Sequence, residues 1–271
     1  MIALAATLHD PSGALAPLIR RTLPVLRTIY RDGVAVATSP PTHARVVRLL
    51  AAQGVHAGQP RANVRGPLYR LSIRGALAGG AAHVHYLDFD RAIHWAAVRP
   101  RELAAAVRVG RRFPVCIVGR TEKAHRSHQR PLYATETVVS RLVADRLGWS
   151  GRVDVLVPSV VLGRAEAAAL LGASRSRDDA VYGEWAAIVA GLAPVIAYLE
   201  CGGLDWETPD RFRRPIARLG LARWRARFES RAEWTARIEI AAAIVRGFER
   251  RLGAGAPPAP RLVRLRPRTA R

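Results

Sequence analysis

Short apolar runs alternate with longer stretches of helical period through the first two thirds of the chain. The runs of strand length cover residues 2–7, 33–38, 83–88, 113–119, 153–162 and 195–200, with a shorter element near Val55 and a break at Pro158. The helical stretches cover residues 15–30, 42–53, 68–77, 132–147, 164–171 and 178–192. This alternation predicts an α/β fold with a mostly parallel, Rossmann-type sheet flanked by helices on both faces.

The pattern changes beyond residue 210, where the chain becomes helical and basic. Residues 231–252 give the strongest helical signal, and 195–200 is the last segment with a strand pattern. We therefore predict a helical basic extension over 211–253. The Gly-, Pro- and Ala-rich segment 254–271 predicts a flexible basic tail.

The chain is strongly basic. It contains 43 Lys and Arg residues and only 21 Asp and Glu residues, which gives a formal net charge of +22. Lys123 is the only lysine, so GC-rich codon usage explains the choice of arginine over lysine. It does not explain the shortage of acids. The excess favours an anionic partner.

Cys116 and Cys201 lie far apart within or beside apolar runs, a pattern typical of buried free thiols in a reducing compartment. No apolar stretch approaches the roughly 20 residues of a membrane span. The N-terminus lacks the basic region of a signal peptide. We expect a soluble cytoplasmic protein, with attachment to the inner face of a membrane left open.

The sharpest chemical signal is HVHYLDFDRAIHW, residues 83–95, in which a hydrophobic strand ends in Asp88-Phe89-Asp90. An extended backbone puts both carboxylates on one side, at the sheet edge where open α/β sheets bind ligands. Such a pair can hold Mg²⁺ or Mn²⁺, which neutralises a diphosphate. The alternative is a strand end followed by an N-cap at Asp90.

The order of elements together with this D-x-D resembles a GT-A-type glycosyltransferase, a nucleotide-diphospho-sugar transferase. The blocks YLDFDRAIHW, VGRTEKAHRSHQRPLYATETVVSRL, DAVYGEW and GGLDWETPDRF are similar to a bacterial branch of that superfamily. The resemblance implies a transferase domain over 1–210. Its nucleotide-binding half would be 1–120 and its acceptor half 121–210.

The resemblance also implies roles for individual residues. Asp90 would bind the metal directly, and Asp88 would face the metal or the ribose. Glu184 would be a general base on the acceptor side, although Trp185 stands where the commoner motif has a second acid. The nucleotide contacts that it implies are Thr7, His9 and Asp10 at the end of the first strand, and Asn63 and Arg65 ahead of the third helix.

Two further groups are candidates on their own chemistry. Arg120 follows the strand at 113–119, where it could stabilise a departing diphosphate or form an ion pair with Glu122 or Glu136. Asp205, Trp206 and Glu207 follow two glycines and could close over an acceptor, with Trp206 stacked on a sugar. The alternative is a helix cap at Asp210.

A second class of function competes with the enzyme. The segment 211–227 (RFRRPIARLGLARWRAR) and the tail 259–271 would suit a non-catalytic protein that binds an anionic membrane or nucleic acid, with Trp224 stacked on bases or at a lipid interface. Nucleic acid is the weaker of these partners, because no nucleic-acid motif occurs. A lipid-linked or otherwise anionic acceptor would reconcile the basic segment with the enzyme.

Overall fold

The computed structural model of the chain describes residues 1–156, 159–253 and 260–265. An eight-stranded sheet forms its centre, and helices cover both faces. The strands are β1 (Ala3–Leu8), β2 (Val34–Thr38), β3 (His56–Gly58), β4 (His83–Asp88), β5 (Val115–Arg120), β6 (Ser159–Gly163), β7 (Val195–Cys201) and β8 (Arg261–Leu265).

The helices follow the strands in the alternation that the sequence predicts. They are α1 (Ala16–Ile29), α2 (Ala44–Ala52), α3 (Arg65–Ala78), α4 (Phe89–Val98), α5 (Pro100–Gly110), α6 (Glu122–Ser127), α7 (Arg130–Arg146), α8 (Arg164–Ala173), α9 (Ala180–Ala190), α10 (Arg213–Leu219), α11 (Leu221–Ala226) and α12 (Arg231–Leu252). The predicted α/β class is confirmed.

The strand order is β3-β2-β1-β4-β6-β5-β7-β8, and every pairing is parallel except those of β6. The order reverses between β1 and β4, which pair in parallel with Thr7 opposite Asp88. In open α/β sheets this reversal leaves a crevice at the carboxyl ends of the two strands, and ligands bind there.

Two hydrophobic cores lie on opposite faces of the sheet, because successive strand residues point to opposite sides. In β1, Leu4 and Ala6 join a core with α1, α4 and α5, whereas Ala3 and Ala5 join a core with α3, α7 and α9. Every residue of β1 is buried, as expected for a central parallel strand.

The C-terminal elements are built into this fold. Helix α12 packs against α9 and α7, and its residues Ile244, Phe248 and Leu252 belong to the second core. Strand β8 pairs in parallel with β7. The prediction that 195–200 is the last strand is therefore wrong, and 261–265 is a strand within the segment predicted to be a flexible tail. The rest of that tail, 254–259 and 266–271, lies outside the described residues.

Smaller differences concern boundaries. Only the last part of the run 153–162 forms a strand, which begins at Ser159, and its residues 157–158 lie outside the described residues. Both cysteines are buried and free, as predicted. Within the described ranges, no helix combines the length and the apolar character that crossing a membrane requires.

Candidate functional site

A cleft of about 590 Å³ opens at the carboxyl ends of β1 and β4. Its walls come from the loops after these strands, the start of α3, the segments before α7 and α9, residues 206–211 and one side of α12. The volume lies within the roughly 300–1,000 Å³ of small-molecule sites. Eight residues predicted from the sequence line it: Thr7, His9, Asn63, Arg65, Asp88, Asp90, Trp206 and Glu207.

Asp88 and Asp90 both line the cleft, although not through strand alternation. Helix α4 begins at Phe89, so Asp88 ends the strand and Asp90 lies in the first helical turn. This start also removes the alternative of an N-cap at Asp90. The Thr7 hydroxyl donates to Asp88 Oδ1 at 2.9 Å, and the Arg91 backbone N–H donates to Asp90 Oδ1 at 3.0 Å.

The negative charge of the two carboxylates is only partly compensated by nearby arginines. Burial, followed by repulsion from Asp90, raises the pKa of Asp88 to about 7. Burial also raises the pKa of Asp90, and Glu207 adds to this, while an ion pair with Arg211 opposes it. A bound cation would favour the ionised forms of both carboxylates.

A divalent cation fits this pair when a diphosphate supplies the remaining ligands. The part of the chain that the structure describes holds no group of three or more His, Cys, Asp or Glu placed to bind a metal ion. Mg²⁺ is usually bound by one or two carboxylates, substrate phosphates and water, so a two-carboxylate set is sufficient. Asp88 and Asp90 are the residues that would hold it.

One wall of the cleft combines a fixed cation with neutral polar groups. Arg65 forms an ion pair with Asp179 and donates to the Tyr182 hydroxyl at 3.1 Å. His9 Nδ1 is 2.8 Å from the Ser39 hydroxyl, and burial followed by Arg211 lowers the His9 pKa, so the ring is neutral. Asn63 completes this wall. Such groups can bind a base and a ribose.

The lining of the cleft also contains buried polar atoms without hydrogen-bond partners among the described residues. Five of them are Arg91 Nη1, His128 Nε2, Gln129 Oε1, Trp206 Nε1 and Glu207 Oε2. Buried polar groups are normally paired, so a concentration of unpaired ones beside a cleft indicates a ligand or water. Both donors and acceptors are present.

Neighbouring charges favour the ionised form of Glu207. Burial alone would raise the pKa of Glu207, but Arg91 and His128 hold it well below its usual range. Burial lowers the pKa of His128, whose Nδ1 lies 3.1 Å from the Ala124 carbonyl oxygen. His128 Nε2 lies 3.6 Å from Glu207 Oε2.

Arg120 does not line the cleft. Its side chain is fully buried, and it donates to Asp154 at 2.7 Å and also to Glu136. The two carboxylates bind its Nε and Nη2 atoms, and because the whole side chain is buried, no face of it is open to a diphosphate. The ion pair with Glu136, given above as the alternative, is what the structure contains.

Asp10 and Glu184 also lie outside the lining of the cleft, because both stabilise backbone turns. Asp10 accepts hydrogen bonds from the backbone N–H groups of Ala14 and Leu15 at the start of α1. Glu184 accepts from the Ser174 hydroxyl at 2.8 Å and from the backbone N–H groups of Arg175 and Ser176. With its oxygens so occupied, Glu184 is not placed to act as a base in the cleft.

The residues that follow the two glycines do not all line the cleft. Asp205 lies outside the lining and contacts His94 Nε2 at 3.2 Å, while Asp210 contacts His94 Nδ1 at 2.7 Å. Trp206 lines the cleft, but its ring packs against Trp224, with centroids 5.2 Å apart, and Arg225 lies over it. These contacts compete with stacking on a sugar and leave the unpaired indole N–H as the group available to a ligand.

Several lining residues are not among the site residues that the sequence predicts. Arg91 directly follows the D-x-D, so proximity to the motif was an available signal. Arg211 begins the basic run, but nothing in the sequence connects it to Asp90. Arg237 lies on the strongest predicted helix, and only the packing of α12 brings it to the cleft.

Comparison with protein-family models finds no match to this chain, and comparison with curated proteins finds none either.

Proposed function

We propose that this protein is a metal-dependent glycosyltransferase of GT-A type, which transfers a sugar from a nucleotide-diphospho-sugar to an acceptor hydroxyl. One observation carries the proposal. Two partly buried carboxylates with raised pKa values, Asp88 and Asp90, lie where the strand order reverses, in a cleft large enough for such a donor.

Different residues of the cleft would bind different parts of the donor. Asp88 and Asp90 would hold Mg²⁺ or Mn²⁺, which supplies charge neutralisation to the diphosphate. Thr7, His9 and Asn63 would contact the base and ribose. Arg65, fixed by Asp179, would add a positive charge beside the phosphates.

The unpaired polar atoms that line the cleft suit hydroxyl groups. A sugar hydroxyl both donates and accepts, so it can satisfy the Arg91 and Trp206 donors together with the Glu207 acceptor. A purely anionic ligand would leave the ionised Glu207 carboxylate unpaired and repelled. This mixture of donors and acceptors supports a carbohydrate group beside the metal-binding pair.

Isothermal titration with UDP, UDP-glucose, GDP and GDP-mannose, with and without Mn²⁺, tests the proposal. We expect one nucleotide class to bind in the presence of Mn²⁺, and Asp90→Asn to weaken that binding by about tenfold or more, because it removes a charged ligand. Asp145→Asn is the matched control, since Asp145 is an exposed carboxylate on α7. The proposal fails if no nucleotide binds, or if the two variants behave alike.

The burial of Trp224 removes one argument for the alternative function, the non-catalytic binding of an anionic membrane or nucleic acid. Trp224 is only 2% exposed and packs against Phe212 and Phe228, so it is not available to stack on bases or to enter a lipid interface. The basic segment around it still requires an explanation.

A further inference from the structure

The segment from Arg211 to Arg231 contains eight arginines and a single acid, Glu229. It folds into α10 and α11, joined at Gly220, whose φ of +76° is readily adopted only by glycine. Three of the arginines have carboxylate partners: Arg211, Arg213 and Arg225. The other five have no ion pair within the described chain: Arg214, Arg218, Arg223, Arg227 and Arg231.

The inner side of this segment is anchored by aromatic packing. Trp224 packs against Trp206, Phe212 and Phe228, with centroid distances of 5.2, 5.3 and 4.8 Å. The anchor fixes which side chains point outward. Five exposed residues make up what we call the α10–α11 surface: Arg214, Arg218, Leu221, Arg223 and Arg227.

We propose that the α10–α11 surface docks the protein on an anionic lipid bilayer. Its guanidinium groups match the phosphates of the headgroups. Leu221, an aliphatic side chain that is 53% exposed among these arginines, is placed to enter the interfacial region. The opposite charges of the arginines and the lipid phosphates therefore provide the attraction. Insertion of the apolar Leu221 side chain adds a favourable contact that is specific to a lipid phase.

The same surface is poorly suited to nucleic acid. Binding of single strands relies on exposed aromatic rings for base stacking, and Trp224 is buried in the anchor. Phosphate contacts alone would not use Leu221.

The docking surface adjoins the cleft. Thr208 and Arg211, immediately before α10, line the cleft, and so does Arg237 on α12. A bilayer held at the α10–α11 surface would thus lie close to the cleft, which suits an acceptor carried by a lipid. This last step rests on the proposed function, whereas the docking itself does not.

Co-sedimentation of the full chain with vesicles tests the docking. We expect binding to phosphatidylcholine vesicles that contain phosphatidylglycerol, weak binding to phosphatidylcholine alone, and loss of binding as salt increases. Each surface arginine contributes about fivefold to partitioning, so the triple variant Arg218→Gln, Arg223→Gln, Arg227→Gln should bind about a hundredfold more weakly. Leu221→Ser should weaken binding with no change in charge.

The matched control removes three charges elsewhere. Arg20 and Arg21 on α1 and Arg108 on α5 are exposed and belong to other elements. Their triple replacement by Gln should leave most vesicle binding intact. Equal losses in the two triple variants would overturn the proposal, because binding would then follow total charge.

Two further outcomes would also overturn it. One is equal binding to neutral and anionic vesicles. The other is tighter binding to a thymidine oligonucleotide than to anionic vesicles, with no effect of Leu221→Ser, which would assign the surface to nucleic acid. Nucleotide titration of the same variants keeps the two proposals separate, since docking variants should bind nucleotide and Mn²⁺ normally.

Discussion

Arg211 contacts the carboxylate that would bind a metal ion, and this contact has a measurable consequence. Its guanidinium donates to Asp90 and compensates part of the charge that Asp90 shares with Asp88. A cation and this guanidinium therefore compete for one carboxylate. The competition makes Arg211 a positioning residue at the cleft.

Replacing Arg211 with Gln should strengthen Mn²⁺ binding by the protein without nucleotide, by about tenfold, because a competing positive charge is removed from the partly buried Asp90 carboxylate. Electron paramagnetic resonance of free Mn²⁺ measures this directly. Arg213→Gln is the control, since Arg213 is exposed and pairs with Asp210. Unchanged or weaker Mn²⁺ binding in Arg211→Gln would contradict the competition.

At the scale of elements, α9 and α12 approach each other backbone to backbone. A methyl group on Gly183 of α9 would overlap the carbonyl oxygen of Ile244, and one on Gly247 of α12 would overlap that of Ala180. Reciprocal glycines thus hold α12 against the core and bring Arg237 to the cleft.

Gly183→Ala should lower the free energy of unfolding by about 1–3 kcal/mol or more, because the two helices would have to separate. Gly172→Ala on α8 is the opposite case, since nothing lies within 4 Å of the added methyl group. It should raise stability by up to about 1 kcal/mol through helix propensity. Urea denaturation measures both, and a neutral Gly183→Ala would show that the helices adjust freely.

Some of the strands and helices can be predicted from hydrophobic periodicity, and others cannot. Hydrophobic periodicity was sufficient for β1, β2, β4, β5 and β7, because buried parallel strands are short, almost wholly apolar runs. It missed β8, whose Arg261 and Arg264 give no apolar alternation, and which is specified by the backbone edge of β7. Periodicity also cannot show that α12 packs on α9, since that contact depends on residues far apart in sequence.

The candidate site was predictable to a similar degree. Residues at strand ends, such as Thr7 and Asp88, could be placed together because parallel strands share an edge. Glu184 and Arg120 could not be assigned from their type alone. A carboxylate that accepts backbone N–H groups and a guanidinium enclosed by two acids look the same in sequence as catalytic groups.

At the scale of the whole molecule, His94 connects α4 to the segment that carries Trp206 and Glu207. Its two ring nitrogens contact Asp205 and Asp210. Burial alone would lower the pKa of His94, but these two carboxylates outweigh it and raise the pKa to about 9. Arg213 beside Asp210 and Arg99 near Asp205 are the other charges around this group.

This raised pKa makes stability depend on pH in one direction. A histidine whose folded pKa exceeds its unfolded value contributes fully below the unfolded value of about 6.5, and the contribution disappears as pH rises through about 9. The free energy of unfolding should therefore fall by about 3 kcal/mol over this interval because of His94. His85 and His128 have lowered pKa values, so their effects on stability fall below this pH interval.

Denaturant unfolding of the wild type and of His94→Gln at pH 6.5 and pH 9.5 measures the effect of His94. The variant should start less stable and lose less, and parallel pH profiles would show that the His94 contacts do not hold the segment over the cleft.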